Sequence, residues 1–347
     1  MEFDVDLITE IARKTIQFVQ NGALQRARVD PGRSFNPMRS QRSDGTWKDH
    51  LGVDWQAELE AAEFLHHHLR KLDPLVLGEE SSDAPAQLTK DLDLTDTRFR
   101  DRLVVLLDMI DGTDLFERGL SNWCSAMIFY HPATTPEDRI IAAFVGLPKE
   151  AIYYARRDQK GVFKYSIPQR QKPDDATSVP GPSTIKDVES ASVAFYGQKS
   201  NHLLSVAVKE KLTEQQGRKR SRMVLHPFAR NLWAQHRRNQ KRNHKPRFRI
   251  YNLAGNPIMM RMIDGPKKID AVFELLGQYP HDAVPGLYIA QKAGAIVRSP
   301  EGNEIGPVDL SEALLRPASD EHKIRYVLAS THELAAEIIE CISARQP

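Results

Sequence analysis

The run Leu103-Val104-Val105-Leu106-Leu107-Asp108-Met109-Ile110-Asp111-Gly112-Thr113 ends five aliphatic residues on two carboxylates and a glycine. Such an aliphatic run reads as a strand buried on both faces. Acids at its exit can close a turn, with Gly112 supplying a positive φ. They can also point into one cavity, where an all-oxygen donor pair suits a hard cation such as Mg²⁺. The motif alone leaves both open.

Acids stand at three further comparable places. Glu79-Glu80 follows a short predicted strand, Pro74 to Gly78. Asp282 lies just before Ala283-Val284-Pro285-Gly286, where a helix opening near Pro285 makes it a capping residue. Asp54 precedes Glu58 by one helical turn, as a solvated helix face also would. His66-His67-His68 are consecutive on a predicted helix and point about 100° apart, so they cannot converge on one ion. Cys124 and Cys341, the only cysteines, lack the spacing of a disulfide framework or zinc site.

Elements predicted from periodicity must carry these groups. Leu7, Ile8, Ile11, Ala12, Ile16 and Val19 follow helical spacing, and a second helix is expected from Asp54 through Leu69. Gln25 to Thr46, rich in Arg, Pro, Ser and Gly, reads as a mobile loop. Ser125 to Tyr130, Ile140 to Gly146, Glu150 to Ala155 and Gly161 to Tyr165 suggest an antiparallel meander. Pro168 to Ser183 reads as an exposed connection and a boundary between halves 1–185 and 186–347. Beyond it come strand Ala191 to Tyr196, helix Pro257 to Ile263, strand Ile269 to Glu274, helix Pro285 to Ala293, strand Ala295 to Arg298 and helix Glu333 to Ile342.

The 347 residues hold apolar material for a large core and no run able to span a bilayer. The acidic N-terminus lacks the basic-then-apolar pattern of a signal peptide, so a soluble cytoplasmic protein is expected. Charge is uneven. Lys209 to Arg249 contains 14 Lys/Arg and 2 Asp/Glu, a local net of +12 that leaves the remainder at −10 within a whole-chain +2. That segment suits a polyanion or a phosphorylated ligand, or else forms a solvated face. Its few aromatics offer no stacking platform for single-stranded nucleic acid.

Together the motifs resemble the inositol monophosphatase-like superfamily, the magnesium-dependent, lithium-sensitive phosphomonoesterases that include fructose-1,6-bisphosphatases and bisphosphate nucleotidases. Gly78-Glu79-Glu80-Ser81 matches its first signature and Asp108-Met109-Ile110-Asp111-Gly112-Thr113 its central one. His281-Asp282-Ala283-Val284-Pro285-Gly286 with Lys292-Ala293-Gly294-Ala295 stands at its late one. Gly255-Asn256-Pro257 and Asp270-Ala271-Val272-Phe273-Glu274 fall between, and the likeness runs in order over residues 5 to 300.

The resemblance implies a layered α-β-α-β-α sugar-phosphatase fold of class α/β, with an α+β N-terminal half and an α/β C-terminal half. It implies two or three Mg²⁺ ions: one on Glu79, Asp108 and the Ile110 carbonyl, a second on Asp108, Asp111 and Asp282. Gly112 and Thr113 would cradle phosphate through their N–H groups, Thr113 would orient the attacking water, and Asp54 would take its proton. Gly255, Asn256 and Glu274 would meet the substrate. Lithium sensitivity and a homodimer are further family expectations.

The chain departs from the family at several places. Leu51-Gly52-Val53-Asp54 replaces the usual Val-Thr-x-x-Asp, His281 stands for tryptophan, Pro285 for alanine, and Asp114 follows Thr113. An inositol or sugar phosphate is the expected substrate. A bisphosphorylated compound, held by a cation of the basic segment, is the alternative within the enzyme class. A catalytically weak RNA- or polyanion-binding protein on the same fold is the alternative outside it.

Overall fold

Asp4 opens the first helix by accepting the Leu7 N–H at 2.9 Å, and α1 (Val5–Val29) buries Ile8, Ile11, Ala12, Ile16 and Val19 on one face. The computed structural model describes residues 3–34, 37–41, 47–79, 88–167, 176–195, 207–211, 221–225, 249–253, 255–265 and 268–343. The loop expected over Gln25 to Thr46 is corrected where that stretch is described. Helix α1 runs on to Val29, α2 (Pro31–Ser34) follows, and β1 (Pro37–Gln41) pairs antiparallel with β2 (Trp47–Leu51). Helix α3 (Gly52–His68) then packs along α1, burying Val53, Ala57, Ala61 and Leu65.

A seven-stranded sheet follows in chain order: β3 (Leu75–Gly78), β4 (Val104–Asp111), β5 (Cys124–Tyr130), β6 (Ile140–Leu147), β7 (Ala151–Arg156), β8 (Phe163–Ser166) and β9 (Thr177–Ser178). Only β3 and β4 run parallel; the others form the expected meander. A one-turn helix, α4 (Thr113–Glu117), leaves the end of β4.

The second sheet has the order β13-β10-β14-β16-β15, built from β10 (Ser192–Phe195), β13 (Arg249–Asn252), β14 (Ala271–Gln278), β15 (Ile296–Arg298) and β16 (Ile324–Ala329). Between β10 and β13, β11 (Ala207–Lys211) and β12 (Ser221–Leu225) form a separate hairpin. Most of the basic segment Lys209 to Arg249, and with it any polyanion contact, lies outside the described residues. Helices α5 (Asn256–Ile263), α6 (Pro280–Lys292), α7 (Pro307–Ala313) and α8 (His332–Ser343) complete the chain.

Three apolar clusters give the layer order. Helices α1 and α3 pack on Val105, Leu107, Phe129 and Phe144 of the first sheet. Its opposite face, with Val104, Leu106 and Ile128, meets α5 and α6 through Met259, Met260, Leu287 and Tyr288. Those helices also cover Val272, Tyr326 and Leu328 of the second sheet. The outer face of that sheet, with Val193, Phe195, Phe273 and Val327, is closed by Leu334 and Ile338 of α8. The arrangement is α-β-α-β-α, the layered α/β fold expected.

Two elements correct the sequence reading. Helix α6 begins at Pro280, so Pro285 is interior and Asp282 sits in the first turn, its N–H donating to Tyr279 O at 3.0 Å. It therefore does not cap the helix. Strand β14 runs on to Gln278, with a register irregularity after Glu274. The reading also lacked α7 and β16, although Ile324–Ala329 is a buried apolar strand interrupted only by exposed Arg325. Among the described residues no helix is long and apolar enough to cross a membrane.

Candidate metal centre

In a regular strand, residues three apart face opposite sides. Asp108 and Asp111 escape this because β4 is bulged between them: Asp108 pairs with Ala126, but Asp111 pairs with Cys124. Three steps on one strand match two on the other, so one residue is extra. The core records the slip. Val104 and Leu106 face α5 and α6, Val105 and Leu107 face α1 and α3, and then Met109 and Ile110 both join the α1/α3 side. Asp111 thereby returns to the face of Asp108.

The bulge is braced from behind. Ser125 Oγ donates to Met109 O at 2.7 Å, and buried Gln20 of α1 donates through Nε2 to Ser125 Oγ at 3.2 Å and Gly146 O at 2.7 Å. Gly146 permits this approach, since a Cβ there would overlap Ile16.

Around this strand end the other acids gather. The β3/β4 register sets Gly78 beside Leu107, so Glu79 leaves its strand next to Asp108. From α3, Asp54 and Glu58 bring carboxylate oxygens within 4.8 Å of one another and of Asp108. Asp282 on α6 comes within the same distance of Glu79 and His281. Burial raises the Asp108 pKa well above the carboxylate range, and the charges of Asp111, Glu79, Asp54 and Asp282 raise it further. Burial and then Asp282 push Asp111 up to about 7, against hydrogen bonds from Asn256 and Cys124 that lower it. Glu80 lies outside the described residues.

Each remaining predicted residue has a definite place. Thr113 Oγ1 lies 2.9 Å from Asp54 Oδ2 and 3.0 Å from Ile110 O, one proton facing two acceptors. Ile110 N–H donates back to Asp108 Oδ1 at 3.1 Å. Gly112 takes the left-handed φ of +98° that starts α4, and a Cβ on it would crowd Trp123 and Asn122 O. Gly255, at φ +83°, lies so near Asp111 that a Cβ would sit 3.3 Å from Oδ2. Asn256 is fully buried, and its amide bridges Asp111 Oδ2, at 3.0 Å, to the Gly286 N–H, at 2.7 Å. Buried Glu274 accepts through Oε1 from the N–H groups of Leu276, at 2.6 Å, and Gly277, at 3.3 Å. Neither Asn256 nor Glu274 presents its carboxamide or carboxylate to solvent here.

The sequence pairs Glu58 with Asp54 by their one-turn spacing but gives Glu58 no role, whereas its carboxylate joins the group around Asp108. Sequence reasoning missed Cys124, whose Sγ donates to Asp111 Oδ2 at 3.6 Å. That contact depends on strand pairing, which no local signal announces.

No protein-family model and no curated protein matches the sequence. Solved structures do match in fold. A calcium-bound inositol monophosphatase family protein from Staphylococcus aureus superposes with TM-score 0.61 at 13% identity, covering 99% of this chain and 97% of that one. A dual-specific inositol monophosphatase/NADP phosphatase bound to D-inositol-1-phosphate gives 0.60 at 13%, covering 99% and 98%. The extragenic suppressor protein suhB from Bartonella henselae gives 0.58 at 14%, covering 97% and 98%. What the chain shares with these inositol monophosphatase family structures, over 97–99% of its length, is the fold.

Proposed function

We propose that the protein is a Mg²⁺-dependent phosphatase acting on a small phosphomonoester, an inositol or sugar phosphate. The observation that carries this reading is the bulged end of β4, which sets Asp108 and Asp111 on one face among Glu79, Asp54 and Asp282. The donor set fits divalent metal. Buried carboxylates that raise one another's pKa are stabilised when a hard cation replaces the shared protons.

Glu79, Asp108 and the Ile110 carbonyl would hold one ion, and Asp108, Asp111 and Asp282 another. Bound there, the ions supply positive charge that acidifies water and neutralises phosphoryl oxygens. Asn256 and Cys124 both donate to Oδ2 of Asp111, and among the described residues no hydrogen bond reaches Oδ1. One oxygen anchors the carboxylate while the other keeps its lone pairs. Thr113 gives its proton to Asp54 and offers Oγ1 lone pairs to a water, whose proton can pass through that hydroxyl to Asp54. The first-turn N–H groups at Gly112 and Thr113 have no intrahelical acceptor and would receive phosphate oxygens.

In this reading Gly255 and Asn256 support Asp111 instead of meeting substrate. The nature of the leaving group is tested by inorganic phosphate release from inositol 1-phosphate, fructose 1,6-bisphosphate, NADP and adenosine 3′,5′-bisphosphate, with Mg²⁺ present. Turnover of the inositol or sugar ester supports the assignment. Release confined to adenosine 3′,5′-bisphosphate overturns the substrate class, and release from none overturns the reading.

A further inference from the structure

Beside the all-oxygen group of Asp54, Glu58 and Asp108 lies a second donor group of different chemistry. Ligating atoms of Glu79, His281 and Asp282 all fall within 4.8 Å of one another. His281 is 4% exposed, and its Nε2 is 3.5 Å from Asp282 Oδ1, long for a hydrogen bond but suited to two donors facing one ion. The imidazole is held in place by parallel stacking on Tyr279, with centroids 5.6 Å apart and planes 12° from parallel. Tyr279 is itself fixed: its hydroxyl donates to Asp320 Oδ1 at 2.7 Å, and the Lys323 ammonium lies 4.3 Å from its ring centroid. Burial and stacking together hold the ring in one orientation beside Asp282.

The geometry points to a mixed nitrogen–oxygen site on Glu79, His281 and Asp282 that takes a first-row transition ion, such as Zn²⁺ or Mn²⁺, in preference to Mg²⁺. One imidazole and two carboxylates form a donor set found for zinc and related ions, whereas Mg²⁺ favours oxygen and water. The site shares Glu79 and Asp282 with the proposed Mg²⁺ centre and extends that reading by adding a nitrogen ligand. Its occupancy can be read without turnover.

Metal-stripped protein titrated with Co²⁺ should develop visible ligand-field absorption, and chelator competition should give tighter binding of Zn²⁺ than of Mg²⁺. His281→Phe should remove that absorption and weaken Zn²⁺ binding by about tenfold or more, leaving Mg²⁺ binding as in the wild type. His281→Gln serves the same purpose with a polar side chain if the phenylalanine variant does not fold. Asp111→Asn, which strikes the phosphatase centre, should leave the cobalt spectrum in place, so the two assignments fail separately. An unchanged spectrum and Zn²⁺ affinity in a folded His281 variant would overturn the site. So would a zinc-edge anomalous map of wild-type crystals grown with Zn²⁺ that shows no peak bonded to the His281 ring.

Discussion

Asn256 grips a single oxygen of Asp111 twice, through its main-chain N–H at 3.2 Å and its side-chain amide at 3.0 Å. The same side chain accepts the Gly286 N–H from α6. One buried amide therefore ties the bulged strand, α5 and α6 together, and these elements come from opposite halves of the chain. Asn256→Ala should cost about 1–3 kcal/mol of stability by unpairing buried groups. Phosphatase activity should fall by about 10–100-fold as Asp111 loses its orientation. Thermal melts and phosphate-release kinetics check both.

Asp111→Asn separates charge from shape. The amide is nearly isosteric, so the fold should persist, and relief of repulsion with Asp282 should raise the melting temperature of the metal-free protein above pH 7. Turnover should drop by roughly 100-fold or more. Wild-type turnover in this variant would count against Asp111 as a ligand.

The pH dependence has a definite sign. The Asp111 carboxyl has a folded pKa of about 7 against an ordinary 3.8, so the metal-free fold binds this proton more tightly than the unfolded chain does. The stability so gained is full below the ordinary value and is lost as pH rises toward and through 7. Asp108, raised by burial and the same neighbours, acts in the same direction. Mg²⁺ competes with those protons. It should raise the melting temperature far more at pH 8 than at pH 5.5, as calorimetry with and without chelator would show. An equal increment at both values would contradict the proton competition.

Gln20 acts from α1, remote in sequence from every acid of the proposed metal centre. Gln20→Ala removes the donor to Ser125 and to the Gly146 carbonyl. It should cost about 1–3 kcal/mol and weaken Mg²⁺ binding by loosening the bulge, a change visible by isothermal titration. Unchanged Mg²⁺ affinity in a destabilised variant would mean that the bulge holds without this brace.

Much of the framework was legible because it rests on local rules. The aliphatic run ahead of Asp108 became a buried strand, the meander appeared where alternation placed it, and α1 buried its three-four stripe. What escaped the sequence depended on partners. Nothing in Asp108-Met109-Ile110-Asp111 reveals a bulge, because a bulge is a mismatch with the opposing strand, here Cys124 to Ala126. Pro285 reads as a helix start since proline suits the first turn. Instead it lies inside α6, where the adjacent Gly286 turns its N–H to the Asn256 side chain. The helix start read at Pro285 accordingly put Asp282 at a cap, whereas it lies within the first turn of α6. Asn256 and Glu274 look like ligand-binding polar residues by motif position, yet their bonding partners come from tertiary packing and a local backbone bend.

Diffraction at the manganese edge from wild-type crystals grown with Mn²⁺ and phosphate is the decisive measurement of the proposed centre. Anomalous peaks should be ligated by Asp108, with Asp111 and Asp282 sharing one of them, and phosphate should lie between the metals and the start of α4. An ordered map in which those carboxylates hydrogen-bond one another and hold no metal would contradict the proposed centre.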